Sequence, residues 1–229
     1  MALLSGTIVS QAQVVKNNLI PNGGFGLSSK CPNDLGQIEF ATGWKTNASV
    51  SPDLYAACSL SEEITTPCNS DFCKNPSGGN NYVGLIVFSV LKNKFLGRYS
   101  YGEDIWVKLK KPMKKGKKYE LRMDLCVSDS VFCKYVSFMI ARFSLSSPSE
   151  LDWPLWYEKK GFMIKIPVVR VTPEEGWTQI SIEFTAERDA AFFHFGLIRP
   201  FFTKREYKNM SKRVESEKNH IGRMCLWMK

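Results

Sequence analysis

Apolar and polar side chains alternate with a period of two residues in several separate segments, and this alternation constrains the fold more than any other feature. In residues 119–127 and 176–186 one parity is apolar and the other mainly polar. Successive side chains of a β-strand point to opposite faces of a sheet, so this pattern predicts strands with one buried face. In residues 136–145 both parities are apolar, which predicts a central strand covered on both sides.

Two further strands are predicted at residues 82–88 and 192–198, which are short and rich in aromatic and β-branched side chains. Prolines exclude a central helix or strand from the first half of residues 146–171. Charged residues dominate after Pro200, and we predict a short helical or irregular insertion near residues 203–218. With 229 residues, 44% of them hydrophobic, the chain can bury the core of one domain.

The first residues have the composition of an export signal. Residues 1–13 form an apolar run that ends in small residues spaced as at a signal-peptidase site. No Lys or Arg precedes the run, so we predict a signal-peptide remnant or an N-terminal extension, with a first strand as the alternative. Residues 14–229 are expected to form one domain. Because no apolar stretch reaches about 18 residues, no transmembrane helix is predicted.

The formal net charge is +9, and part of it comes from a dense run of lysines around a predicted turn. The run consists of Lys108, Lys110, Lys111, Lys114, Lys115, Lys117 and Lys118. Coulomb attraction to such a cluster favours acidic polysaccharide, lipopolysaccharide phosphate or nucleic acid. The alternative is a solvated hairpin that keeps a sheet edge from pairing with other chains. The lysine run lacks the interleaved aromatic residues of a nucleic-acid platform, so no nucleic-acid partner is predicted.

The seven cysteines favour disulfides in an oxidising compartment. They are Cys31, Cys58, Cys68, Cys73, Cys126, Cys133 and Cys225. The absence of a Cys-x-x-Cys pair and the presence of only two histidines argue against zinc. Proximity in sequence favours Cys68 with Cys73 and Cys126 with Cys133, although sequence alone leaves the connectivity open. Cys225 is then the cysteine left over by elimination.

Three motifs carry a resemblance to a known family. Within residues 18–25, Leu19 and Ile20 are predicted to enter a short first strand that Pro21 ends, and a turn follows at Asn22-Gly23-Gly24, where positive φ is needed. Gly43-Trp44 follows downstream, and residues 176–186 begin with a second Gly-Trp pair. Together these segments resemble the galactose-binding-like carbohydrate-binding modules over roughly residues 18–198. The resemblance implies an all-β fold, an antiparallel β-sandwich of jelly-roll type, with carbohydrate as the ligand.

A longer series of short motifs resembles a jelly-roll domain of secreted and outer-membrane surface proteins in gram-negative bacteria. The motifs are Cys31-Pro32, Gly36-Gln37-Ile38, Ala41-Thr42-Gly43-Trp44, Ser51-Pro52-Asp53-Leu54-Tyr55, Cys58 and Tyr82-Val83-Gly84-Leu85, followed by residues 103–109 and 112–119. This resemblance implies a disulfide between Cys31 and Cys58. It also implies a secreted, periplasmic or cell-surface location, and a chain that stops just inside the closing strand.

Jelly-roll modules of this kind hold sugars by stacking them on flat aromatic rings. The candidates here are Trp153, Trp156 and Tyr157 in the proline-rich segment, and Tyr99 and Tyr101 near Arg98. For the two tryptophans, packing against the core is the alternative. The remaining strand tryptophans, Trp44, Trp106 and Trp177, are predicted to be core or rim residues, because tryptophan within strand patterns is usually highly buried.

No catalytic or metal-binding constellation is predicted. His194 lies between two phenylalanines in a predicted strand, which favours a structural role, and His220 lies in the charged tail. Adjacent carboxylates such as Glu103-Asp104 point to opposite faces of a strand, so they do not form a catalytic pair. Related modules bind a structural calcium through the Glu that follows the first-strand Phe, but Gly26 stands there. We therefore predict no enzyme activity, metal or cofactor.

These observations predict a non-catalytic, exported binding module that recognises carbohydrate or cell-envelope glycan through exposed aromatic residues. The net charge favours an acidic glycan. One alternative is a structural or adhesive surface module that contacts other surface proteins and has no sugar site. Another is a degenerate accessory domain of a longer glycoside hydrolase.

Overall fold

A computed structural model describes residues 18–47, 50–69, 75, 78–93, 97–127, 138–147, 161–167, 176–196 and 222–228, with residues 88–93, 97–100 and 222–228 described by their backbone alone. This part of the chain contains one short 3-10 turn, Ile38–Phe40, and eleven strands. They are β1 (Trp44–Lys45), β2 (Asp53–Ala56), β3 (Asn81–Asn93), β4 (Gly97–Tyr101), β5 (Asp104–Met113), β6 (Lys118–Val127), β7 (Phe138–Ser144), β8 (Gly161–Pro167), β9 (Thr178–Thr185), β10 (Ala190–Gly196) and β11 (Gly222–Met228). The predicted all-β class is confirmed. None of the helical structure in the described residues is long and apolar enough to cross a membrane.

Two antiparallel sheets enclose the main core. The first sheet has the strand order β1-β5-β10-β7-β8, and the second has the order β2-β3-β11-β6-β9, with β4 paired to β3. From β5 to β11 the chain changes sheet at every connection except that between β7 and β8. The predicted antiparallel sandwich is confirmed. The predicted insertion near residues 203–218 lies outside the described residues.

The burial of individual strands follows the alternation in the sequence. In β6, Leu121, Met123 and Leu125 face the core, as predicted. In β7, residues 139–144 are buried on both parities, because β7 lies between two other strands and is covered on both faces. The edge strand β9 behaves differently, since residues 178–185 alternate between half-buried and exposed. An edge strand therefore leaves its inward row partly open.

Residues 18–25 do not form the predicted first strand. The turn predicted at residues 22–24 is confirmed, since residues 21–24 make a turn, and positive φ angles are adopted by Asn22 (48°) and Phe25 (54°). The Phe25 amide donates to the Asn22 carbonyl at 3.0 Å, and its ring lies 5.0 Å from the Trp44 ring. Nε1 of Trp44 donates to the same carbonyl at 2.9 Å. Proline and positive φ interrupt the extended backbone before a strand ladder can form, so the motif places Phe25 in the core from a turn.

A disulfide joins Cys31 to Cys58, as the family resemblance implied, with their Cα atoms 5.8 Å apart. Cys68 is also disulfide-bonded. Its predicted partner Cys73 lies outside the described residues, so that pairing stays a prediction. The first disulfide connects two irregular segments that have few strand hydrogen bonds of their own, and it limits their freedom in the unfolded chain.

Cys126 is a buried thiol on the outer face of the second sheet, and its Sγ donates towards the Val127 carbonyl at 3.5 Å. The predicted disulfide between Cys126 and Cys133 is therefore wrong. Cys126 packs instead in a second apolar cluster with Tyr55 and Tyr82. That cluster is formed by residues distant in sequence, which the short spacing between the two cysteines did not indicate.

Candidate ligand-binding face

The outer face of the first sheet brings aromatic and cationic side chains into neighbouring rows. The antiparallel register places Lys45 opposite Trp106, and Trp106 opposite His194. One step further along the same face, Lys108 lies opposite Phe192. Directly opposed side chains on one face of an antiparallel pair are close neighbours. The rows follow from the two-residue period of β5, whose other parity faces the core.

Trp106 and Phe192 form the centre of this surface. Their ring centroids are 6.0 Å apart at an interplanar angle of 65°, an edge-to-face arrangement. Nζ of Lys45 lies 5.5 Å from the centroid of the Trp106 ring, within cation–π range. Both rings are half-buried, so part of each remains in contact with solvent. We refer to Lys45, Trp106, Lys108, Lys110 and Phe192 as the aromatic–lysine face.

Beside this face, polar side chains are buried and engaged with one another. His194 is 1% exposed, and its Nε2 lies 3.4 Å from Oδ1 of Asp104. Both carboxylate oxygens of Asp104 accept hydrogen bonds from Nδ2 of Asn47, at 3.0 and 3.1 Å. A general base must reach its substrate, and this imidazole is enclosed. The geometry agrees with the structural role predicted for His194.

The adjacent carboxylate of Glu103 is also buried and holds different partners. Its Oε2 accepts a 2.7 Å hydrogen bond from the Ile86 amide. Its Oε1 accepts hydrogen bonds from the Tyr101 hydroxyl at 2.8 Å and the Ser51 amide at 3.3 Å. Burial, together with the nearby Glu103 charge, raises the pKa of Tyr101 to about 12. Glu103 and Asp104 therefore secure separate parts of the structure, and they are not arranged as a catalytic pair.

The lysine run lies on β5, β6 and the turn between them, and all seven of its side chains are exposed. Asp189 is close to this turn: its Oδ2 lies 3.0 Å from Nζ of Lys114, and its Oδ1 accepts from the Lys115 amide at 2.8 Å. These two hydrogen bonds lower the pKa of Asp189. Within the described part of the chain, Lys114 is the only member of the run in an ion pair. The hairpin is thus a largely uncompensated positive surface that continues from the aromatic–lysine face.

The six predicted sugar-binding residues have different outcomes. Three of them, Trp153, Trp156 and Tyr157, lie outside the described residues. Arg98 and Tyr99 lie in β4, where only the backbone is described. Tyr101 is half-buried, and its hydroxyl is occupied by Glu103. The arrangement of the six side chains is therefore not described as a whole, and their role in binding stays a prediction.

The strand tryptophans divide into core and surface positions. Trp44 is buried in the main core, as predicted. Trp177 packs edge-on against Tyr82, and its Nε1 donates to the Asn75 carbonyl at 2.6 Å. Trp106, predicted to be a core or rim residue, is half-exposed on the aromatic–lysine face, and sequence reasoning did not include it in the site. The sequence did contain an indication of this position, because Trp106 and the charged Lys108 are two residues apart in β5 and therefore lie on the same face of the strand.

Among the residues that the structure describes, no group of three or more His, Cys, Asp or Glu side chains is placed to hold a metal ion.

No family model and no curated protein sequence matches this chain. Among solved structures, 13 chains are similar to it. One is the K1 cleaved adhesin domain of Lys-gingipain from Porphyromonas gingivalis W83, at 12% identity and a TM-score of 0.38, covering 82% of this chain and 88% of that one. Another is the K3 domain of the same protein, at 14% identity and a TM-score of 0.33, with the same coverage. The strand pairing, and not this distant likeness, defines the sandwich.

Proposed function

We propose that this chain is a non-catalytic binding module that holds an acidic glycan on the aromatic–lysine face. In this proposal a sugar ring packs on Trp106 or Phe192, and its carboxylate or sulfate groups contact Lys108 and Lys110. The observation that carries the proposal is the half-exposed pair of rings 6.0 Å apart, with exposed lysines directly beside it.

The chemistry of the face suits a sugar better than a purely apolar ligand. Aromatic rings offer a flat apolar surface at little cost in side-chain freedom, which matches the C–H face of a pyranose. Lysine ammonium groups attract anions at a distance and are screened by salt. The aromatic rings supply the component of affinity that salt does not remove.

Two features support an exported jelly-roll module. The strand orders β3-β11-β6-β9 and β5-β10-β7-β8, with most connections crossing between sheets, support a jelly roll of two four-stranded sheets. The Cys31–Cys58 disulfide and the bonded Cys68 favour an oxidising compartment, which for a bacterial chain is the periplasm or the cell surface.

The test is binding of the full chain to immobilised polygalacturonate, heparin and dextran at low and high salt. We expect binding to the two acidic polymers that weakens with salt but persists. Trp106→Ala should reduce the persisting affinity at least about tenfold, or ~1.4 kcal/mol. Lys108→Gln should mainly reduce the salt-dependent part.

Lys165→Gln is the matched control, because Nζ of Lys165 lies 4.5 Å from the Phe138 ring in a similar cation–π contact away from the proposed site. It removes the same charge and should leave binding nearly unchanged. Equal losses in Trp106→Ala and Lys165→Gln, with both variants folded by circular dichroism, would contradict the proposal. So would binding to dextran as strong as to the acidic polymers.

A second candidate function is adhesion to another surface protein without a sugar site. It is favoured by Leu27 and Leu60, which are 66% and 101% exposed in the segments joined by the Cys31–Cys58 disulfide. Exposed apolar side chains that are gathered on one surface suit a protein partner. A Leu27→Ser, Leu60→Ser variant that abolishes attachment to a bacterial or host surface, while glycan binding is unchanged, would favour this function.

A further inference from the structure

Two cysteines that are far apart in the chain lie directly opposite each other in the second sheet. Strand β11 pairs antiparallel with β6, and the register places Cys225 opposite Cys126. This register is unbroken along β11 from residue 224 to residue 228. Residues directly opposite each other in an antiparallel pair share one face of the sheet. The topology therefore brings together two cysteine positions that four strands separate in the sequence.

The spacing of such a pair suits a disulfide bond. The Cα atoms of directly opposite residues in antiparallel strands are about 4.5–5.5 Å apart, and those joined by a disulfide are usually about 4.4–6.8 Å apart. The Cβ atoms of opposite residues are about 4.5–5.5 Å apart, against about 3.5–4.5 Å in a disulfide. Because the strand pairing already holds the two positions, an approach of about 1 Å is enough to allow the bond.

Aromatic side chains cover the sheet on both sides of the β11 position. Cys126 is a buried thiol that packs with Tyr55 and Tyr82 in the second apolar cluster. On the other side of β11, Cys225 lies opposite Gly84, and a Cβ at Gly84 would lie 2.5 Å from the Tyr55 ring. Buried cysteines in apolar surroundings react slowly. A bond between these two positions is therefore expected to form while β11 docks, before the cover is complete.

The disulfides already described leave this pair available. Cys31 is joined to Cys58, and Cys68 is also disulfide-bonded. Cys126 is not the partner of Cys68, because Cys126 is a thiol in the structure. A chain that forms such bonds folds where disulfide oxidants are present.

We propose that Cys126 and Cys225 form a disulfide that fastens β11 to β6 when the chain folds in an oxidising compartment, and that the structure shows Cys126 in its reduced form. The oxidant is a disulfide, either oxidised glutathione or a protein disulfide. The inference does not depend on glycan binding. It also means that Cys225 is not the cysteine left over.

The bond forms by two thiol–disulfide exchanges. The thiolate of one cysteine attacks the oxidant, which gives a mixed disulfide and releases one thiol. The thiolate of the other cysteine then attacks the protein sulfur of the mixed disulfide, which forms the Sγ–Sγ bond and releases the second thiol. Two cysteine thiols are oxidised, one disulfide is reduced to two thiols, and these thiols take up the two protons.

The test is disulfide mapping of the full chain. Reduced, denatured protein is refolded in a mixture of reduced and oxidised glutathione, and the remaining thiols are blocked under denaturing conditions. Proteolytic fragments are then analysed by mass spectrometry with and without reduction. We expect a pair of fragments linked through Cys126 and Cys225 that reduction separates. Blocked thiols at both positions, or a link from Cys126 to another cysteine such as Cys133, would overturn the proposal.

A variant with Cys225→Ala and Met224→Cys is the matched control for the register. It keeps the number of thiols and moves one of them by a single residue, to the position opposite Val127. A shift of one residue changes the face of the sheet, so the moved thiol should not be linked to Cys126. A link that forms as readily as in the wild type would show that the two thiols pair in the unfolded chain, and the argument from register would fail.

Thermal unfolding tests whether the bond stabilises the folded chain. After oxidative refolding, Cys225→Ala should melt about 5–15 °C below the wild type, because the bond closes a long loop. Under reducing conditions, in which both proteins lose their disulfides, the two melting temperatures should agree within about 2 °C. Equal melting temperatures after oxidative refolding, or the same difference under reducing conditions, would contradict the proposal. Neither cysteine belongs to the aromatic–lysine face, so polysaccharide binding should be the same in both proteins.

Discussion

The Glu103 carboxylate accepts a 2.7 Å hydrogen bond from the Ile86 amide, and this contact connects the start of β5 in the first sheet to β3 in the second. The same carboxylate also holds the Ser51 amide and the Tyr101 hydroxyl. One buried side chain thereby satisfies three donors from three parts of the chain. Such a group costs free energy to bury and is stabilising only while its partners are in place.

Glu103→Gln should destabilise the protein by about 1–3 kcal/mol, because a side-chain amide has one acceptor oxygen and leaves a buried donor without a partner. The measurement is urea unfolding followed by circular dichroism. Glu183→Gln on the exposed parity of β9 is the control and should change stability by less than about 0.5 kcal/mol. A Glu103→Gln protein as stable as the control would contradict this role.

The raised pKa of Tyr101, about 12, predicts a loss of stability at alkaline pH. A tyrosine in the unfolded chain ionises near pH 10, so the unfolded state releases this proton first. The stabilising contribution is therefore complete below about pH 10 and is lost as the pH rises towards about 12. Tyr101→Phe cannot ionise, and its melting temperature should fall less than that of the wild type over this range. Parallel pH profiles for the two proteins would exclude the effect.

Gly84→Ala should be strongly destabilising. A Cβ at this position would lie 2.5 Å from Cε2 of Tyr55, and that ring is stacked on Tyr82 at a centroid distance of 4.9 Å. Overpacking of this kind costs about 1–3 kcal/mol, or a fall of about 3–10 °C in melting temperature for a chain of this size. Gly26→Ala is the control, since nothing lies within 4 Å of its added Cβ. Similar melting temperatures for the two variants would refute the close packing.

Loss of the Cys31–Cys58 disulfide should cost on the order of 3–4 kcal/mol, from the entropy of a loop with a sequence separation of 27. Cys31→Ser, Cys58→Ser and the double variant should have equal free energies of unfolding, because each removes the same bond. Additive losses in the double variant would mean that the two cysteines act independently.

The strands were predictable because their signal is local. The alternation in β6 and the apolar runs in β3 and β10 identify strands, and the doubly apolar β7 identifies a central one. Each of these patterns indicates whether one face or both faces of a single strand are buried. The turn after Ile20 was predicted correctly, but the short strand before it was wrong, because Pro21 and the positive φ of Asn22 and Phe25 leave too little extended backbone for a strand.

The candidate site was less predictable because it depends on registers between strands that are far apart in sequence. Trp106 belongs with Phe192 only through the pairing of β5 with β10. Similarly, the outward-facing Cys126 is buried because Tyr55 and Tyr82 pack on it. Alternation shows which face a side chain occupies, but not whether another segment covers that face.

The position of β11 has a consequence for how the protein is made. This strand follows every other described strand in the chain, yet it pairs with both β3 and β6 in the interior of the second sheet. Until β11 is in place, the pairs β2-β3 and β6-β9 are separate, and the edges of β3 and β6 that will pair with β11 have no hydrogen-bonding strand beside them. Pairing over so long a sequence separation is slow. The second sheet can therefore be completed only after residues 222–228 have emerged from the ribosome, and a chain still being synthesised carries two open edges that a chaperone can recognise.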